Sequence, residues 1–159
     1  MFCRMDIEKM DGRFIAFAQK AFEPFARISI FIVFFWFGLL KVLGFSPADG
    51  LVRDLLHATI PFMPPATFMV LFGFFEMAIG ILFLIPRKER FAIPLLFLHM
   101  ITTAMPLFLL RSVTWSGFLV PTLEGQYIIK NLLIITAAIG IAAHLHPIRM
   151  NSKESRPGH

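Results

Sequence analysis

Four ionisable side chains stand inside long apolar runs of this chain: Lys41, Glu76, His99 and Lys130, with Asn131 next to the last. Each could do chemistry. A carboxylate beside a lysine forms an ion pair or exchanges a proton. A lysine donates a hydrogen bond to a carbonyl, and an imidazole serves as acid or base. A charge kept at the centre of a membrane-crossing helix costs about 2.5–3.5 kcal/mol on insertion scales, so each needs a partner or a purpose. Whether they meet depends on the elements that carry them.

Those elements are set by composition. The chain has 159 residues, of which 57 % are apolar and 16 % charged, with 20 Phe against 2 Trp and 1 Tyr. Soluble domains are about 45–50 % apolar and about 25 % charged. There is too little polar surface here to cover a water-soluble globule. Four segments are long and apolar enough to cross a hydrocarbon core of about 30 Å as helices: about 25–43, 65–85, 91–110 and 126–143. The expected fold is an all-α membrane protein, a bundle of four transmembrane helices with short interfacial helices. Pro94 and Pro106 fall in the third span, where bends are expected and breaks are not.

Charge placement orients the bundle. Arg4, Lys9, Arg13, Lys20, Arg27, Arg87, Lys88, Arg90, Arg149, Lys153 and Arg156 fall on one side, and only Arg53 and Arg111 on the other. Eleven against two places the first side, with both termini, in the cytoplasm. The +5 net charge is therefore read as orientation and not as a nucleic-acid surface. Residues 1–24 mix both signs of charge and show no small-residue cleavage site, so a signal peptide is not expected. Ile7, Met10, Phe14, Phe17 and Ala21 recur at helical spacing, which predicts a separate amphipathic helix on the inner leaflet. Ser46-Pro47 reads as the start of an outer helix with Leu51, Leu55 and Leu56 facing the bilayer or the bundle and Arg53 and Asp54 towards water. Trp115 fits an outer aromatic belt. The cytoplasmic tail is 144–159.

Depth follows from a rise of about 1.5 Å per residue. Glu76 lies roughly 16 Å below the outer start of span two, and His99 roughly 12 Å from the inner start of span three. The two can share a level. Lys41 and Lys130 lie near outer ends, where each could snorkel to water or reach down to Glu76. Glu76 could equally fasten two helices without further role, and His99 reads first as a satisfied core histidine beside Thr102 and Thr103. Together, one midplane acid and two lysines from three spans predict a polar pocket opening outward. Trp36, Phe72 and Tyr127 are the aromatics that would flank it. Gly38, Gly73 and Gly80 predict close helix packing around it, since Gly73 and Gly80 share a face with Glu76.

Other chemistries fit poorly. Cys3 is the single cysteine, so an internal dithiol is excluded. Bis-histidine haem needs two ligands at one depth, and His57, His144 and His146 lie far from His99 in level. His144 and His146 are two apart and point to different faces, a weak metal site. No metal centre is expected, and no haem, flavin or nucleotide motif is visible.

Several of these residues carry a family resemblance. The stretch from Arg27 to Lys41, with Trp36-x-Gly38-x-x-Lys41, resembles the first-span signature of the DoxX-like superfamily. Gly73-x-x-Glu76-x-x-x-Gly80 resembles its second-span motif. Ile101-Thr102-Thr103 and the stretch from Pro121 to Asn131 look like its third span and its entry to the fourth. The resemblance covers roughly residues 25–143. It is nearest the branch containing the bacterial inner-membrane protein for reactive-chlorine resistance. Asn131 stands where that branch often has an acid. The resemblance implies a bacterial inner-membrane protein linked to oxidoreductase or oxidative-stress complexes. With it, a quinone-linked subunit becomes the leading expectation: a lysine would hydrogen-bond a quinone carbonyl, Glu76 would exchange a proton, and a redox partner protein would supply electrons. A non-catalytic scaffold and an oligomeric small-molecule or ion carrier remain the alternatives.

Overall fold

In the computed structural model residues 2–145 are described, with side chains from residue 10. The helices are α1 (Phe2–Val42), α2 (Asp49–Thr59), α3 (Pro65–Leu84), α4 (Glu89–Ala104), α5 (Pro106–Leu109), α6 (Arg111–Thr114), α7 (Leu123–Lys130) and α8 (Leu132–Ala143). Strands β1 (Trp115–Gly117) and β2 (Val120–Pro121) form a small antiparallel hairpin between α6 and α7. Four helical stretches are long and apolar enough to cross a membrane: Met10–Val42, Pro65–Leu84, Glu89–Leu109 and Leu123–Ala143. The protein is an all-α, four-span membrane bundle.

The apolar core runs through all four spans. Ile30 and Phe34 of α1, Ile79 and Phe83 of α3, Leu96 of α4 and Ile141 of α8 are almost fully buried against one another. α1 and α3 approach most closely. A Cβ at Gly38 would lie 2.6 Å from the Gly73 carbonyl oxygen, and one at Gly73 would lie 2.6 Å from the Gly38 oxygen. Only hydrogen fits at either place, so the two backbones touch. Two turns further along α3, Gly80 lies against the backbone of Phe31 and Phe35 in the same way.

Local chemistry sets the ends of the elements. α1 stops at Gly44, which adopts φ +76°. The Phe45 N–H donates to the Leu40 carbonyl and the Gly44 N–H to the Lys41 carbonyl, the paired bonds of a Schellman cap. α7 is capped by Thr122, just before its first residue Leu123; the Thr122 Oγ1 accepts from the Gly125 N–H. The span-three helix continues past Pro94 without interruption. At Pro106 the missing N–H leaves Met105 donating to Thr102 instead, while Met105 keeps helical angles. Neither proline breaks the span, as expected.

Three boundaries differ from the sequence reading. The amphipathic segment does not form a separate helix: residues 2–42 are one helix, with Pro24 inside it. A Glu23–Arg27 ion pair closes the turn that contains Pro24. The helix expected from Ser46-Pro47 begins at Asp49, because the Ser46 hydroxyl accepts from the Ala48 N–H and holds a tight turn first. Of the two surroundings expected for this face, the bundle takes Leu55 and Leu56, and Leu51 is half-buried. The Trp115–Pro121 hairpin was not foreseen; its Trp115 indole donates to the Leu107 carbonyl. Residues 146–159, most of the expected tail, lie outside the described residues, as does His146.

Candidate functional site

The packing of α1 on α3 decides where the polar groups go. Because Gly38 and Gly73 bring the backbones together, the Lys41 Cβ rests against Gly73, one turn from Glu76. The long lysine stem then follows α3 inward. Its Nζ lies 2.9 Å from Oε1 and 2.7 Å from Oε2 of Glu76. α4 brings a third group from the other flank: His99 Nε2 lies 2.8 Å from Glu76 Oε1. With Glu76 ionised and acceptor-only, Nε2 carries the proton in that bond. Behind the ring, the Thr103 hydroxyl donates to the His99 carbonyl at 2.9 Å and stands 3.3 Å from Nδ1.

Lys41, Glu76 and His99 are 7, 5 and 5 % exposed. One cation, one anion and one imidazole are thus buried as a single network drawn from three spans. Aromatic rings seal it. Phe72 stacks on His99 with centroids 4.9 Å apart and planes at 12°, and Phe34 meets the same ring edge-on at 5.0 Å. Lys41 Nζ stands 5.8 Å from the Phe72 centroid. Phe68 stacks in turn on Phe72 at 5.3 Å. Phe72 and Phe68 are half-buried, so this pair of rings is the part of the seal nearest the surface.

Such a network can hold charge in an apolar interior, hold or pass a proton among three groups, and offer donors to an oxygen ligand. No buried polar side-chain atom among the described residues lacks a partner.

The structure joins only part of the expected site. Glu76, His99 and Lys41 meet, with His99 engaged in the network. Lys130 does not join it. It is exposed near the α7–α8 junction, with its Nζ 5.4 Å from the ring of Tyr127. Tyr127 is itself 62 % exposed, and Trp36 is 61 % exposed on the face of α1 turned away from the bundle. Trp36 therefore does not flank the network; of the expected aromatics Phe72 does, and Phe34 joins it. The helical register explains the split, since Gly38 and Lys41 face α3 and Trp36 falls on the opposite side. Asn131 sits apart, half-buried between α7 and α8. It lines a groove of about 150 Å³ with Met100, Ala104, Leu107, Ile128 and Ile135.

A second ionic cluster was missed. Glu89, 2 % exposed at the start of α4, accepts from Arg27 of α1 and from the Arg87 N–H at 3.1 Å. Arg27 also binds Glu23. The signal was present: an acid at a helix N-terminus right after a basic turn. His144 serves the helix end, with Nδ1 2.7 Å from the Gly140 carbonyl. Among the described residues no three His, Cys, Asp or Glu side chains converge as metal ligands.

Fold and site together define a four-span membrane protein with a buried lysine–glutamate–histidine network at its centre. No family model, curated protein or solved structure matches the chain.

Proposed function

We propose that this chain is a DoxX-like subunit of the bacterial inner membrane, linked to quinone or oxidative-stress redox chemistry, with the Lys41–Glu76–His99 network as its working centre. Both termini lie in the cytoplasm in this reading, on the strength of the eleven-to-two basic asymmetry. The observation that carries the proposal is the network itself. Three ionisable groups from three spans share one carboxylate, each less than a tenth exposed.

The residues fit a quinone head group in kind. Lys41 has a third N–H beyond the two directed at Glu76, available to a carbonyl oxygen. Glu76 and His99 are placed to hold and release protons beside it. Phe72, half-buried and stacked on His99, is an aromatic surface beside the network for a flat ring to pack on. A quinone supplies two-electron, two-proton acceptor chemistry when bound. Its electrons come from a redox partner protein in this reading, because the chain has no dithiol.

The test is quinone content. Protein extracted with its native lipid is assayed for co-purified quinone, and lipid-depleted protein is titrated with a short-chain quinone. Near-stoichiometric quinone, lost in Lys41→Met, is the expected result. Wild-type protein that neither retains nor binds quinone refutes the proposal. The full internal pairing of the network favours a second reading, a scaffold in which it only fixes helix register. There Lys41→Met lowers stability and leaves any oxidant-resistance phenotype unchanged.

A further inference from the structure

The apolar core seals the buried network on one side. Between the network and the Arg27–Glu89 pair lie Ile30 and Phe34 of α1, Ile79 and Phe83 of α3, and Ala92 and Leu96 of α4. None is more than 3 % exposed. Glu89 and His99 are ten residues apart on α4, so the layer between them is ~15 Å deep. None of these six side chains can hold or pass a proton.

Toward the other end of the bundle α4 is more polar and more open. One turn past His99, Thr103 is half-buried, as are Thr102, Ala104 and Met105 around it. The Thr103 hydroxyl donates to the His99 carbonyl at 2.9 Å and stands 3.3 Å from Nδ1. A hydroxyl has one proton to give. With that proton on the carbonyl, a lone pair is left for Nδ1, and Thr103 acts there as an acceptor. Just beyond, Pro106 has no N–H to offer the Thr102 carbonyl, which takes the Met105 N–H at 3.3 Å instead. A carbonyl loosened in this way inside a membrane helix is a place for water to bind.

The partners of the imidazole decide where its protons go. Nε2 faces Glu76 and Nδ1 faces Thr103, so each ring nitrogen has an acceptor. A proton that reaches Nδ1 makes an imidazolium held at both nitrogens. Transfer of the Nε2 proton to Glu76 Oε1 then leaves a neutral ring, protonated on Nδ1, beside a neutral carboxyl. One proton has entered at Nδ1 and one has left from Nε2. The ionisable groups facing the ring are Lys41 of α1 and Glu76 of α3; α4 has its others, Glu89 and Arg90, at the far end, and α8 (Leu132–Ala143) has none.

We infer that the network exchanges protons through His99 Nδ1 and Thr103 with the end of the bundle that carries the Trp115–Pro121 hairpin, and not with the Arg87–Arg90 end. Thr103 is the positioning residue of that route. In the orientation proposed above, the hairpin end is extracytoplasmic. The route rests on the network as the working centre and needs no quinone.

One-sided acid steps on quinone-free protein in sealed vesicles of either orientation test this. The imidazole is followed by infrared spectroscopy of isotope-labelled histidine, with the His99 band assigned by its loss in His99→Gln. A step at the hairpin end should protonate His99, and the same step at the Arg87 end should leave it unchanged while the gradient lasts. Thr103→Val should slow the response about a hundredfold, and Thr103→Ser should restore it. Nitrogen NMR should show the added proton on Nδ1. A purely structural Thr103 would alter unfolding and leave the rate alone. A response from the Arg87 end that is as fast, no response from either end, or a folded Thr103→Val that responds like the wild type overturns the inference. One-sided exchange in a protein that binds no quinone leaves the route standing and removes the quinone reading alone.

Discussion

Glu76→Gln is the perturbation on which the buried network can be judged. The substitution keeps the shape of the side chain and removes its charge. In the wild type, Oε2 accepts from Lys41 at 2.7 Å, and Oε1 accepts from both Lys41 and His99. A glutamine has one oxygen to accept and one amide that only donates. One of the two positions must therefore set a donor against the Lys41 ammonium or the His99 N–H. Lys41, 7 % exposed, also loses its counter-charge. Removing one partner of a buried ion pair costs about 3–5 kcal/mol, and the structure gives no reason for the low end of that range, since three helices meet at this carboxylate. The double variant Lys41→Met/Glu76→Gln removes the orphaned charge and should recover about 2 kcal/mol of the loss. The assay is reversible unfolding of both single variants and the double variant in lipid bicelles, read as a double-mutant cycle. A Glu76→Gln cost below about 1 kcal/mol, or strictly additive single costs, would refute the reasoning.

Three further outcomes follow from particular contacts. Gly73→Val places a Cβ 2.6 Å from the Gly38 carbonyl oxygen, so α1 and α3 must part; a loss of about 3 kcal/mol or failure to fold is expected in the same bicelle assay. Glu89→Ala takes from Arg27 its buried partner, leaving it only Glu23, and frees the Arg87 N–H; it should lower stability by about 3 kcal/mol, while Glu23→Ala, at a half-exposed partner, should cost no more than about 1 kcal/mol. Lys130→Met removes only an exposed contact with the Tyr127 ring, so thermal unfolding should shift by the equivalent of about 1 kcal/mol or less.

The spans were legible because a hydrocarbon core imposes one length and one composition on every helix that crosses it. Glu76 and His99 could be placed at a common level for the same reason: depth in a membrane helix is a count of residues. Helical register settled less. Lys41 and Trp36 belong to one short motif, but they fall on opposite faces of α1, and only the contact of Gly38 on Gly73 shows which face meets α3. Lys130 lies near the same end of the bundle as Lys41, yet its side chain is exposed beside Tyr127 and stays outside the network. The continuity of α1 through Pro24 was hidden because a proline in a surface segment reads as a boundary. Glu89 escaped notice because a basic turn draws attention to its cations, whereas the buried partner is the acid that follows them. Phe72 was expected among the pocket aromatics because it lies one turn from Glu76 on the same helix, whereas its stacking on the His99 ring depends on how α4 packs and is not a matter of spacing.

The most direct test of the central network is the distance from Lys41 to Glu76 within a lipid bilayer. Solid-state NMR dipolar recoupling between the labelled lysine Nζ and the Glu76 carboxyl carbon measures it without mutation. A separation under about 4 Å, with the lysine nitrogen protected from water exchange, is the expected result. A separation beyond direct ion-pair contact, with a lysine that exchanges freely at the interface, would contradict the account.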